Sequence, residues 1–295
     1  MANPKEDSVQ IAREYLDSLL VESRMIGAER PDSRFSFLGE TFDTPIMTAA
    51  LSHLNLPAMA EGAKQAGAFV TIGMGGTEEM GRVLATGARV MKVIKPYADP
   101  DEIFSRMEYA EQHGAAAVGM DVEHAVNVDD PEDSLVAGYQ MKLPTLAELR
   151  RYIAATRLPF FIKGAMSAKD ALQCADLGCR GVILSHHNGL MRCAVPPVMA
   201  LPGIRKAVGK ELLLIVDGGM ESGFDAFKAL ALGADAVTVG RALIPPLKEK
   251  GAEGVRDTML AMTRQLQAMM LRTGTRDLGH MDPTVIHRKW EPLSC

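Results

Sequence analysis

Five short stretches carry the side chains able to do chemistry, and each stands just after an apolar run. They are Asp121 after 117–120, Lys163 after 160–162, Ser185-His186-His187 after 181–184, Asp217-Gly218-Gly219 after 212–216, and Gly240-Arg241 after 236–239. A lysine whose stem is buried by Phe160-Phe161-Ile162 keeps its charge only where something receives the ammonium: an anion, a Schiff-base carbonyl or solvent. Lys163 is such a lysine, with snorkelling to a solvated mouth as the plainer alternative. Gly218 and Gly219 let backbone N–H groups approach an oxyanion without an intervening side chain. Gly240-Arg241 adds a second bare backbone and a guanidinium fork. Together the two turns read as a phosphate cradle, against two merely tight turns. Imidazole suits proton transfer near neutral pH, so one of His186 and His187 is a candidate base. No HxH or HExxH spacing supports a metal pair, and no metal site is expected. Ser185 lacks the elbow of a hydrolase nucleophile.

These groups need a frame that brings strand ends together. Gly-x-x-Val-like turns recur at Gly67, Gly87, Gly114, Gly178 and Gly233, each closing an amphipathic stretch and opening an apolar run. That is a helix ended by a glycine, a short turn and a buried strand. Apolar strands alternating with helices make a parallel sheet covered by helices. Eight strands are predicted near 45–48, 69–72, 89–94, 117–121, 160–163, 181–185, 212–217 and 236–240. Helices follow near 56–66, 77–85, 100–113, 145–156, 167–177, 197–208, 222–232 and 254–272. Eight such units predict an α/β fold, a single-domain (β/α)₈ TIM barrel whose chemistry sits at the C-terminal strand ends. An open doubly wound sheet is the alternative. The barrel spans 45–276, between a leader 1–44 with a helix near 8–22 and a tail 277–295. The segment 122–144 is acidic and poorly periodic, and reads as a lid or a disordered insertion.

Composition narrows the partners. The net charge of -5 gives no basic field to release phosphate counterions, so nucleic acid and anionic membrane surfaces are not expected. No apolar stretch reaches the ~18 residues of a membrane span, and the N-terminus lacks a secretory pattern. Four cysteines without a CxxC pair fit reduced thiols in a cytoplasmic protein.

Two segments resemble a known family. Residues 158–171, LPFFIKGAMSAKDA, and 213–241, LLIVDGGMESGFDAFKALALGADAVTVGR, are similar to the FMN-dependent 2-hydroxy acid oxidases and dehydrogenases, the glycolate oxidase and flavocytochrome-type lactate dehydrogenase family. Weaker likeness lies at 38–50 and 273–276, and the short leader resembles that of shorter bacterial homologues. The resemblance implies FMN as cofactor. Lys163 would stand by the flavin N1–O2 edge, and Ser185 by the flavin edge or ribityl chain. Asp217, Gly218, Gly219, Gly240 and Arg241 would hold ribityl and phosphate. Backbone at Thr48, Ala49, Ala50 and Gly73 would meet the isoalloxazine. Asp121 would orient His187, the base.

Substrate recognition departs from the family. Leu190 stands where an arginine would grip a carboxylate, with Arg192 two residues on, and 122–125 contains no second arginine. Lys92 and Ile94 fall at the family's strand-three glutamine and tyrosine. Lys92, His124, His186 and Arg192 are then the substrate-side candidates. The resemblance implies an oxidoreductase moving two electrons between flavin and a small hydroxy or oxo compound. The alternatives are an FMN-dependent isomerase like type II isopentenyl diphosphate isomerase, a flavin-free lyase with a Schiff-base Lys163, or a flavin-binding protein without catalysis. The electron acceptor is not legible: oxygen, a quinone or a carrier protein would each serve. The family implies a homo-oligomer, up to a tetramer, with the leader helix free to pack between subunits.

Overall fold

The computed structural model describes residues 7–126, 134–187 and 189–289. All eight apolar runs are strands: β1 Ile46–Thr48, β2 Val70–Ile72, β3 Val90–Ile94, β4 Ala117–Asp121, β5 Phe160–Lys163, β6 Gly181–Leu184, β7 Leu213–Asp217 and β8 Ala236–Val239. They pair in parallel in the order β1-β8-β7-β6-β5-β4-β3-β2. The seam between β1 and β2 closes through a side chain. Thr48 Oγ1 accepts the Thr71 N–H at 2.8 Å and donates to the Thr71 carbonyl at 3.0 Å, and Leu51 bridges to Ile72. The sheet is therefore a barrel, not an open doubly wound sheet.

Period-two alternation separates two cores. Met47, Phe69, Met91, Val93, Phe161, Ile183 and Ile215 fill the interior. Ile46, Val70, Val90, Ile94, Val118, Ile162, Val182, Leu214 and Val237 face the helices. A short hairpin, Phe35–Phe37 with Glu40–Phe42, plugs the N-terminal end. Its Phe37 ring meets Phe69 edge-on at 4.8 Å and lies 5.9 Å from Phe161. With that end sealed, the barrel opens only at the C-terminal strand ends.

The surrounding helices are α1 Leu56–Gln65, α2 Thr77–Leu84, α3 Pro100–Gln112, α4 Leu146–Ala154, α5 Ala168–Asp176, α6 Pro197–Val208, α7 Gly223–Ala231 and α8 Ile244–Arg272. Side-chain caps start several of them, among them a capping box of Thr145 with Glu148. α8 begins ten residues before its expected start. Pro245 and Pro246 fit a first helical turn, and Gly251 then breaks the helix at φ 57°.

The leader helix, Ser8–Ser18, is shorter than its expected span because Leu19–Val21 instead pairs antiparallel with Ile286–Arg288 of the tail. It is not loose. Ala12, Leu16 and Leu19 are buried on the chain's own barrel. Arg13 reaches Asp225 at 2.7 Å and the Gly219 carbonyl at 3.1 Å, and Lys228 donates to the Leu16 carbonyl.

After β4 the chain makes a short turn, Val122–Ala125, and later a hairpin, Leu135–Val136 with Tyr139–Gln140. The stretch 127–133 of the expected lid or insertion lies outside the described residues. The hairpin is docked: Ala98 N–H donates to the Gln140 carbonyl, and Tyr139 meets Tyr97 edge-on at 5.1 Å. Among the described residues, no helix is long and apolar enough to cross a membrane. Cys174, Cys179 and Cys193 are free thiols.

Candidate active site

The inward row of each strand, continued to its C-terminal end, assembles the site. Met91 and Val93 point into the barrel, so the next inward residue is Lys95; Ala117 leads to Asp121, Phe161 to Lys163, Ile183 to Ser185 and Ile215 to Asp217. This register corrects the expectation for strand three. Lys92 and Ile94 stand on the outer face, one residue out of phase with the interior. Lys92 is fully buried there, and its ammonium is taken by the carbonyls of Gly73 and Gly75 rather than facing the mouth. Burial lowers its pKa to about 7. Lys95, not Lys92, carries an ammonium into the site.

Asp121 organises the cluster. Its Oδ2 accepts from Lys95 Nζ at 2.8 Å and Lys163 Nζ at 3.3 Å, and lies 3.0 Å from His187 Nδ1. Burial opposes the carboxylate charge, but Lys163, the His187 bond and Lys95 outweigh it and hold this carboxyl well below the usual range. A carboxylate only accepts, so the His187 tautomer that pairs with Asp121 carries its proton on Nδ1 and leaves Nε2 bare. Lys163 Nζ lies 3.1 Å from the same Nδ1 and 3.3 Å from Asp121 Oδ2, and its three donors allow a bond to either. Burial lowers the His187 pKa against the pull of Asp121, which favours the neutral imidazole.

His124 stands beside this cluster. Its ring centroid lies 4.3 Å from that of His187, and Lys95 Nζ reaches its Nδ1 at 2.6 Å. Burial and then the Lys95 charge push the His124 pKa down to about 4. The neighbouring Glu123 carboxyl is pushed up to about 7, mainly by burial, and its Oε2 is buried without a partner. Asp121, His124 and His187 are close enough to share a metal ion. Two ammonium groups already occupy that space, so the donor set does not fit a metal.

The cradle forms on the adjoining strands. Asp217 is fixed at both oxygens, by the Ser185 hydroxyl at 2.9 Å and the Thr238 hydroxyl at 2.7 Å. Ser185 also accepts the His187 N–H, which holds His187 at a positive φ of 44°. Ser185 is thus engaged with Asp217 and His187. Gly218 and Gly219 have φ of 106° and 76°, values that L side chains rarely adopt. A Cβ at Gly240 would stand 3.1 Å from that of Ala49. One cavity is lined by Ala49, Ala50, Lys163, His187, Asp217 to Glu221, Thr238, Gly240 and Arg241. It joins the cradle to the Asp121 cluster, and its bare amides, guanidinium and ammonium fit a phosphorylated, electron-accepting ring. Thr48 is buried in the seam, and Gly73 packs too closely on Ala50 for any side chain.

His186 and Arg192 are not among the residues lining this cavity. His186 is buried on the outer side of β6, where its Nδ1 accepts the Gly189 N–H. Arg192 is exposed, and its carbonyl accepts from Ser8 of the leader helix. Sequence reasoning missed Lys95 and Glu123. Once pairing with β4 turns Met91 inward, counting by two reaches Lys95.

A parallel barrel with a phosphate cradle after β7 and β8 and an Asp–His–Lys cluster at its mouth defines a cofactor-dependent oxidoreductase class. Comparison with known proteins supplies the family. The chain matches the family described as FMN-dependent dehydrogenase over residues 2–142 and 128–288, and it belongs to that family. Its cofactor is FMN. It is 41% identical to an L-lactate oxidase of Alicycliphilus denitrificans over 149 residues, half of this chain and 41% of that protein. It is 26% identical to glycolate oxidase 3 of Arabidopsis thaliana over 96% of this chain and 89% of that one. A mandelate oxidase variant solved with a monooxide FMN adduct superposes with a TM-score of 0.85 at 26% identity, over 98% of this chain and 93% of that one.

Proposed function

We propose that the protein oxidises a small 2-hydroxy compound to its 2-oxo counterpart, passing two electrons to FMN and on to an acceptor. The observation that carries this is Asp121, which fixes the His187 base and the Lys163 ammonium at one end of the cavity whose other end is the anion cradle. Bound FMN supplies the two-electron sink. Gly218, Gly219, Gly240 and Arg241 would hold its phosphate and ribityl chain, and Lys163 would supply a positive charge to its pyrimidine edge. His187 Nε2 takes the substrate proton. The Asp121 carboxylate then stabilises the imidazolium. Relatives named for lactate, glycolate and mandelate support a 2-hydroxy substrate.

On this reading the family's carboxylate-binding arginines are not matched. Leu190 occupies one position, and no lysine or arginine occurs between Asp121 and Gln140. The test is to load the protein with FMN and mix it anaerobically with 2-hydroxy compounds. Bleaching of the flavin supports the proposal. Bleaching only by dithionite, with isomerisation afterwards, overturns it in favour of an isomerase.

A further inference from the structure

The Asp121 contact at His187 and the Lys95 contact at His124 favour opposite tautomers of the two imidazoles at the mouth. Asp121 can only accept, so His187 keeps Nδ1–H and presents a bare Nε2. Lys95 can only donate, so His124 must accept at Nδ1 and presents an Nε2–H. With ring centroids 4.3 Å apart, the two rings are close enough for a lone pair on one and a donor on the other to meet one small molecule. A 2-hydroxy carbonyl compound carries the matching pair, a hydroxyl to give up its proton and a carbonyl oxygen to accept one bond.

The charge balance says which carbonyl compound. Lys95 and Lys163 are each within 4 Å of Asp121, and Lys163 is also 3.8 Å from Asp217. At the Asp121 end of the cavity two cations thus meet two carboxylates, with the Glu123 carboxyl beside them; Arg241 and Glu221 line the cradle end. His124 is neutral above a pH of about 4 and adds no charge. Arg192 is exposed, whereas Lys95 and Lys163 are buried. A buried carboxylate needs a cation with donors to spare, and a site already balanced disfavours one.

We propose that the substrate's carbonyl end is uncharged, an ester, amide or ketone of a 2-hydroxy compound, received by the His124 Nε2–H beside the His187 base. This rests on the 2-hydroxy reading above. His124 is then a specificity-determining residue, and Lys95 is a positioning residue that fixes its tautomer.

The test uses the FMN-loaded protein with matched pairs: a 2-hydroxy acid and its methyl ester, such as lactate with methyl lactate and mandelate with methyl mandelate. At pH 7.5 the ester is expected to reduce the flavin with a kcat/KM at least tenfold above that of the acid. Binding of the unreactive 2-oxo ester, followed by the shift in flavin absorbance, should be tighter than that of the 2-oxo acid by a similar factor. His124→Phe should weaken ester binding tenfold at unchanged FMN affinity, and His124→Arg should move the preference toward the acid. Nitrogen-15 shifts of His124 should report a neutral ring protonated at Nε2, and a ring protonated at Nδ1 overturns the donor role. An acid that reacts and binds as well as its ester overturns the inference while leaving the 2-hydroxy reading intact. Failure of every 2-hydroxy compound to bleach bound FMN overturns both.

Discussion

Replacing Asp121 with asparagine removes one charge and leaves the shape. In the native site Oδ2 takes Lys95 at 2.8 Å, Lys163 at 3.3 Å and His187 Nδ1 at 3.0 Å. An asparagine oxygen still accepts, but its NH₂ can also donate to His187 Nδ1. That bond favours the Nε2–H tautomer, which has no lone pair for the substrate proton. The same substitution in serine-protease triads lowers turnover by ~10⁴ through the wrong tautomer. General-base assistance alone is worth ~10²–10⁴. We expect anaerobic flavin reduction to slow by ~10³, about 4 kcal/mol on the barrier. The two buried ammonium groups also lose their shared counter-charge, a destabilisation of about 3–5 kcal/mol by analogy with broken buried ion pairs. FMN affinity should change by no more than about fivefold, because the cradle belongs to β7 and β8 and an uncharged donor contact is worth only about 1 kcal/mol. Stopped-flow reduction of the loaded variant, with circular dichroism to confirm folding, reads all three. A folded, FMN-loaded variant reduced within tenfold of the native rate refutes the tautomer argument.

Three further perturbations probe separate parts. Lys163→Met should lower the flavin midpoint potential by roughly 30–60 mV, the loss of one charge-assisted contact to the reduced ring, and an unchanged potential rules that contact out. Arg13→Ala frees the Gly219 carbonyl and Asp225 from the leader helix. FMN should bind several-fold more weakly, with turnover at saturating FMN unaltered, and an unchanged Kd would show that the leader does not brace the cradle. Glu123 titrates near pH 7 in the folded chain against its ordinary value of about 4.5. The native state therefore binds the extra proton between those values, and stability of the FMN-free protein should fall as pH rises from about 4.5 to 7. Glu123→Gln should flatten that slope in denaturant titrations, and an unaltered slope would mean the carboxyl is already solvated.

The barrel was legible because its strands are apolar on both faces and glycine turns punctuate them at regular intervals. Asp121, Lys163 and Asp217 could be read because each is the first charged residue after such a run. Strand three hid its register for the opposite reason. Val90, Met91, Val93 and Ile94 are all apolar, so neither face is marked, and either Lys92 or Lys95 could have been the inward lysine. Only pairing with the neighbouring strand decides, Ile94 lying beside Met120. The hairpin at 135–140 escaped for want of length. Its two-residue strands have no periodicity, and they hold through Tyr139 against Tyr97, with the Arg106 guanidinium 4.5 Å over the Tyr97 ring. The pairing of Leu19–Val21 with Ile286–Arg288 joins the two ends of the described chain, and no local signal carries it.

That register also explains how the barrel tolerates four ionised side chains in one layer. Lys163 pairs with Asp121 across β5 and β4, and Lys95 follows Ile94 as Asp121 follows Met120. Neighbouring strands stand about 4.8 Å apart, so side chains at one inward level meet at ion-pair distance with little bending. The order across β3, β4 and β5 is ammonium, carboxylate, ammonium, and Asp217 on β7 answers the second ammonium from across the mouth at 3.8 Å. Each charge is therefore solvated by its neighbour rather than by a ligand, and the layer can form before any cofactor arrives. The same arrangement leaves the lone pair of His187 and the donor of His124 as the groups not engaged within that layer. Selectivity toward the substrate would then rest on hydrogen-bond direction more than on net charge, which is why exchanging the direction at one imidazole should matter more than adding a cation at the rim.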